Sequence, residues 1–354
     1  MQAYINSIGV ISPQQTHDGS FLTHPLVNEP TLTMNCVDPV YKEYINAMAL
    51  RRMSHVVKMG LAASAICMRQ LPDVSPEGVI VGTGLACLSD LEKFTRLVEE
   101  YGEQSLPPIP FINSAHNTVA GQIAMHNKIT GYNITYCHSF LSFESALRDT
   151  LLCLSEGMQN VLVGGLDERT VDNFNIYDLK GYWRKEPVCN LDLYKGSYPG
   201  TLNGEGSAFF IMSNQQRKET MACLRGVHTL LLENSSIADV ERELTKFLEA
   251  QAIQREDIDL FILGRNGSST YDSLYCQLEA SLPSDAYVAY YKHLCGEYMS
   301  SSSFALWIAA NVLRQQTLPE ALTFRAGTRS AFNRVLIYNQ SRNKEHAFIL
   351  VERV

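Results

Sequence analysis

Long apolar runs are missing from these 354 residues, and no stretch approaches the roughly 20 apolar residues that a membrane-spanning helix needs. Excess positive charge is missing too. The chain carries 29 Lys and Arg against 37 Asp and Glu, a net charge of −8, which argues against a dedicated nucleic-acid binder. The N-terminal Met1–Ile11 has no basic segment before its apolar residues, so it reads as a first strand rather than a signal peptide. No Cys-x-x-Cys pair occurs among the nine cysteines. An odd, scattered set implies free thiols in a reducing compartment, no structural zinc, and a cytoplasmic setting. The Gly82–Gly84 turn after the apolar strand 79–81 lacks the rest of a dinucleotide fingerprint and is not followed by Gly-Lys-Ser/Thr. Tight strand-to-helix packing therefore suits it better than a phosphate cradle.

What the chain does contain is an alternation of strands and helices that runs through it twice. In the first pass, strands are expected at 2–11, 79–84, 160–166 and 207–212, and helices over Tyr44–Met68, Leu88–Tyr101 and Asn117–Ala124. Prolines 107, 108 and 110 mark a loop, and residues 170–203 read as an aromatic, irregular cover for a pocket. The second pass is more compact. It has strands near 223–232, 259–263, 287–290, 334–339 and 347–352, with helices over 237–252, 271–282 and 304–314. The polar run 213–219 separates the passes, which suggests a 1–214 half and a 215–354 half of an α/β protein.

Residues 133–157 hold the most chemistry. An extended segment reaches Cys137, and Phe143, Ala146, Leu147, Thr150, Leu151 and Leu154 then recur at helical spacing up to Gly157. A thiol at a strand-to-helix turn meets backbone N–H groups and a helix dipole that favour the thiolate, so Cys137 is a candidate nucleophile. The bland reading is one small buried thiol among nine.

Taken in order, seven segments resemble the β-ketoacyl synthase branch of the thiolase fold: Ala3–Pro13, Arg51-Arg52-Met53-Ser54, Val79–Gly84, Asn117–Ala124, Gly131–Cys137, Val161–Gly165 and Gly204-Glu205-Gly206. The resemblance covers nearly the whole chain. It implies a five-layered αβαβα fold of two pseudo-repeated halves, usually dimeric, acting with an acyl carrier protein and without a cofactor or metal. In active members a cysteine at the Cys137 position takes the acyl chain, and two histidines assist decarboxylation and stabilise an oxyanion.

Here the two histidine positions hold Asn266, in Gly264-Arg-Asn-Gly-Ser-Ser-Thr-Tyr-Asp272, and Glu297, in Lys292-His-Leu-Cys-Gly-Glu297. The family lysine is kept as Lys292. An ionised carboxylate cannot donate to an oxyanion. The family's glycine-rich C-terminal loop is replaced by Arg334–Asn343, and Tyr136, His138 and Phe140 crowd the cysteine. His138 and His293 are possible stand-ins, each more readily read as a packed or surface histidine. Three functions fit this pattern. One is a condensation-impaired partner of an active ketosynthase, resembling the chain-length factors of type II polyketide and aryl-polyene pathways. Another is an active 3-oxoacyl-carrier-protein synthase or acyltransferase using Cys137 in a non-standard site with Asn266, Glu297 and, as a further candidate, His138. The last is a scaffold that binds an acyl chain or carrier protein, alone or as a homodimer.

Overall fold

A computed structural model describes every residue from Met1 to Val354. Ten strands carry the architecture. The first five are β1 (Ala3–Ile11), β2 (Gly78–Gly82), β3 (Tyr132–Tyr136), β4 (Asn160–Asp167) and β5 (Gly206–Ser213). The second five are β6 (Ala222–Leu231), β7 (Leu260–Leu263), β8 (Tyr287–Tyr290), β9 (Arg334–Ser341) and β10 (Glu345–Glu352). Across the sheet they lie in the order β3-β2-β4-β5-β1-β6-β10-β9-β7-β8, with a short strand, Thr323–Arg325, at the far edge.

Both groups of five have one topology. β2 runs parallel to β3 and β4, and β5 antiparallel to β4 and β1. In the same way β7 runs parallel to β8 and β9, and β10 antiparallel to β9 and β6. The groups are joined where Ala3–Ile5 of β1 pairs with Ala222–Leu224 of β6. The doubled alternation in the sequence is thus a doubled fold.

Helices fill three layers around these strands. They are α1 (His55–Arg69), α2 (Leu88–Tyr101), α3 (Thr118–Asn127), α4 (Ser142–Ser155), α5 (Val171–Leu179), α6 (Ile237–Ala250), α7 (Ser273–Ala280) and α8 (Ser302–Gln315). The two-residue period of a strand sends alternate side chains to different layers. In β4, Val161 and Val163 enter the central core, while Leu162 and Leu166 enter an outer one. In β9, Val335 and Ile337 join the same central core, whereas Leu336 and Tyr338 join the other outer one. Helices α4 and α8 lie in the central layer, α1 and α3 cover the first half, and α6 and α7 cover the second. Every residue of α8 from Ser302 to Leu313 is buried, as expected of a helix enclosed on all sides.

Local expectations fail in three places. The expected Tyr44–Met68 helix is broken: Arg51 and Arg52 form an exposed turn before α1. Pro108 opens a short helix, Pro108–Asn113, instead of marking a loop; proline suits the first helical turn, where its missing N–H is not needed. Within the irregular 170–203 region, α5 is a helix with no buried residue. The glycine turn behaves as expected. A Cβ on Gly82 would lie 2.4 Å from the Ser142 carbonyl oxygen, so α4 presses directly on β2 there.

Candidate active site

The thiol occupies the end of β3. Between Cys137 and α4 the chain makes a tight turn, Ser139–Leu141, with Ser139 in the left-handed region at φ 51°. The Ser142 hydroxyl accepts from the His138 N–H at 2.8 Å and donates to the Ser139 carbonyl at 2.6 Å, which pins that turn. Because α4 starts at Ser142, its dipole acts several residues beyond the thiol. Cys137 is exposed at its residue surface, yet its thiol is pushed up to about 11, first by desolvation and then by the negative charge of Asp167. The expected stabilisation of the thiolate is therefore reversed. His138 is also exposed, and its Nδ1 faces the Ser145 hydroxyl at 3.2 Å.

Asn266, Lys292 and Glu297 do come together. Lys292 is completely buried, and its Nζ donates to both Glu297 carboxylate oxygens at 2.8 Å. Asn266 Nδ2 donates to Glu297 Oε2 at 2.7 Å, while Asn266 Oδ1 accepts from the Ser268 N–H at 3.1 Å. Asp272 fixes the loop by accepting from the Asn266 and Gly267 N–H groups and from Arg265 Nε. Glu297 is thus bonded both to Asn266 and to the buried lysine, joining the two residues that the resemblance sets at histidine positions.

The space beside this network is small. A cavity of about 30 Å³ is bounded by Phe140, Asp167, Tyr182, Glu297, Tyr298 and Met299, among others, and Cys137 is not part of its wall. That volume is on the scale of one or two waters, against roughly 300–1,000 Å³ for ordinary ligand pockets. Phe140, Tyr182, Trp183 and Met299 line it as one apolar cluster. Of the residues expected to narrow the pocket, Phe140 lines this cavity and Tyr136 and His138 do not.

His293 takes no part. It is almost fully buried, its Nε2 donates to the Ala321 carbonyl at 2.8 Å, and burial lowers its pKa to about 4. A neutral, packed ring results.

Two carboxyl groups escaped the sequence reading. Asp167, at the end of β4, accepts from Thr83 Oγ1 and the Gly84 and Leu85 N–H groups on one oxygen. Its other oxygen accepts from the N–H and hydroxyl of Ser300. It ties the β2 turn to the start of α8. A carboxylate directly after a glycine-rich buried strand was the available signal. Glu144, on α4, is fully buried with neither carboxyl oxygen hydrogen-bonded. Burial pushes it up to about 7, against the opposing pull of Ser302 and Lys292. Its amphipathic helical context concealed it.

The doubled five-strand topology, with α4 and α8 in its central layer, defines a thiolase-like fold, and the known proteins this chain is similar to are ketosynthases and chain length factors. Residues 28–193, somewhat less than half of the chain, match the family model described as "Beta-ketoacyl synthase, N-terminal domain". No curated protein sequence matches the chain. Among solved structures, the ishigamide ketosynthase/chain length factor superposes with a TM-score of 0.80 at 14% identity, covering 100% of this chain and 99% of that one. A β-ketoacyl synthase from Burkholderia phymatum gives 0.80 at 12% identity, with the same coverage. The complex of a ketosynthase (ApeO) with its chain length factor (ApeC) from Xenorhabdus doucetiae gives 0.78 at 14% identity, covering 99% of this chain and 98% of that one. No helix is long and apolar enough to cross a membrane.

Proposed function

We propose that this chain is a chain-length-factor-like partner subunit that has lost condensation and works beside an active ketosynthase on carrier-protein-bound acyl chains. One observation carries the reading: the side chains at both family histidine positions are consumed internally. Asn266 donates to Glu297, and Glu297 neutralises Lys292. An oxyanion hole needs donors aimed at developing charge, and a carboxylate at that position repels it. The raised Cys137 pKa and the small size of the cavity support the same reading. So does the likeness to the ApeO–ApeC pair, in which one member is a chain length factor.

A free sheet edge is the natural place for the partner. β3 pairs with β2 alone. Tyr132 N–H and Tyr136 C=O bond toward the β2 side, so by alternation the Asn133 and Thr135 backbone groups face outward. An unpaired edge is a template for strand addition. Exposed Met125 on α3 and Leu152 on α4, two helices packed against β3, add apolar surface beside it.

The decisive experiment reconstitutes the chain with its ketosynthase and carrier protein and replaces Cys137 by Ala. Elongation by the pair is expected to be unchanged; its loss would return catalysis to this subunit. A second reading, an acyltransferase with an altered site, is favoured by the retention of an exposed Cys137. It requires acylation of Cys137 by carrier-protein thioesters, detectable by mass spectrometry of the intact chain.

A further inference from the structure

Only two permanently charged side chains of positive sign are buried, Lys292 and Arg184. Lys292 has Glu297 as counter-ion. Arg184 has none. It is 4% exposed, its Nε and Nη1 make no hydrogen bond, and it takes part in no ion pair. Its guanidinium instead stacks on the ring of Tyr198, 4.3 Å from Cζ to the ring centroid. A guanidinium cannot shed its proton at physiological pH, so it cannot relieve this burial by neutralising itself. Leaving a buried charge without a partner is strongly unfavourable.

The loop that stacks on the guanidinium is fixed to the candidate site. Tyr198 is 40% exposed and sits in Gly196-Ser-Tyr-Pro-Gly200, between two glycines at φ +84° and +79°. That loop is anchored to the loop that carries Asn266. The Ser269 N–H donates to the Tyr198 carbonyl at 2.8 Å, the Gly200 N–H to Ser268 Oγ at 3.2 Å, and Thr201 Oγ1 to the Asn266 carbonyl at 2.6 Å. On the other side, the Arg184 N–H is held by the Thr201 carbonyl at 3.0 Å. The cation therefore lies just under a surface aromatic ring, on a scaffold fixed to the candidate site.

We propose that Arg184 is the anchor of a small-oxyanion site, taking a phosphate or carboxylate group against the guanidinium edge while Tyr198 covers its face. Planar guanidinium forks match both groups in bidentate geometry. This site does not depend on whether the chain condenses, and none of its residues belongs to the Asn266–Glu297–Lys292 network.

The test is thermal melting and calorimetric titration of the full chain in an anion-poor zwitterionic buffer, with inorganic phosphate and acetate added separately. Wild type is expected to bind at least one of them with a concentration-dependent rise in Tm, and the anion that binds identifies the chemistry. Arg184→Met is expected to melt above wild type without anion, because it removes the uncompensated charge, and to lose the anion response. Arg184→Lys, which keeps the charge but not the fork, checks the geometry and is expected to bind at least ten-fold more weakly. The proposal is overturned if neither anion shifts wild type, or if Arg184→Met responds as wild type does; in those cases water alone solvates the guanidinium.

Discussion

At the scale of single residues, the site is governed by buried charge. Lys292 and Glu297 stabilise the fold as a pair, and either alone is a liability. Lys292→Met is expected to lower the unfolding free energy by about 3–5 kcal/mol, measured by urea denaturation, because Glu297 is then buried unpaired. Lys292→Met combined with Glu297→Leu is expected to recover most of that loss; equal losses in the single and double variants would contradict the pairing. Glu144 gives a pH dependence. Its folded pKa of about 7 lies above the ordinary 4.5, so the neutral form is the one favoured in the fold. The stability it contributes is fully present below about 4.5 and is lost as pH rises through about 7. Glu168, raised to about 7 mainly by burial, acts with the same sign. Glu144→Gln is therefore expected to lose less stability than wild type on going from about pH 5 to about pH 8. Identical pH profiles in urea denaturation would rule this out. None of this was legible locally. Asn266, Glu297 and Lys292 were found by resemblance, whereas Asp167 and Glu144 acquire meaning only from what surrounds them.

At the scale of elements, legibility followed burial. The strands and α4 were readable because their apolar residues repeat at the period of the structure they form: Phe143, Ala146, Leu147, Thr150, Leu151 and Leu154 are all buried on α4. By contrast, α5 buries nothing and so leaves no apolar stripe to detect. The break at Arg51 and Arg52 was hidden because apolar residues continue on both sides of it. Contact between elements is equally specific. Gly82→Ala would place a methyl 2.4 Å from the Ser142 carbonyl oxygen and force α4 away from β2. A destabilisation of about 1–3 kcal/mol is expected in chemical denaturation. Gly121→Ala on α3, where the added methyl meets nothing within 4 Å, is the control and is expected to be neutral or slightly stabilising.

At the scale of the whole molecule, assembly is the property to measure. Asn133→Pro removes an outward-facing N–H from the free edge of β3 while leaving the inward bonds to β2. Co-purified with the ketosynthase partner proposed above, this variant is expected to keep the native far-UV spectrum and to form at least ten-fold less complex by analytical ultracentrifugation. Undiminished assembly would place the partner elsewhere.

The sequence by itself determined the doubled alternation and the two-faced strands, because those follow from apolar periodicity that a chain carries wherever it folds. By resemblance it also set Asn266 and Glu297 where the ketosynthase pattern has histidine. Tertiary structure alone decided what the replacements do. Glu297 is a counter-ion because Lys292 and Asn266 converge on it from different segments. The Cys137 thiol is raised because its surroundings desolvate it and, second, because the Asp167 carboxylate lies near it. Arg184 is exceptional only because no carboxylate of the chain reaches it. Burial, charge pairing and pKa are sums over neighbours distant in sequence, and they exist only once the chain has folded.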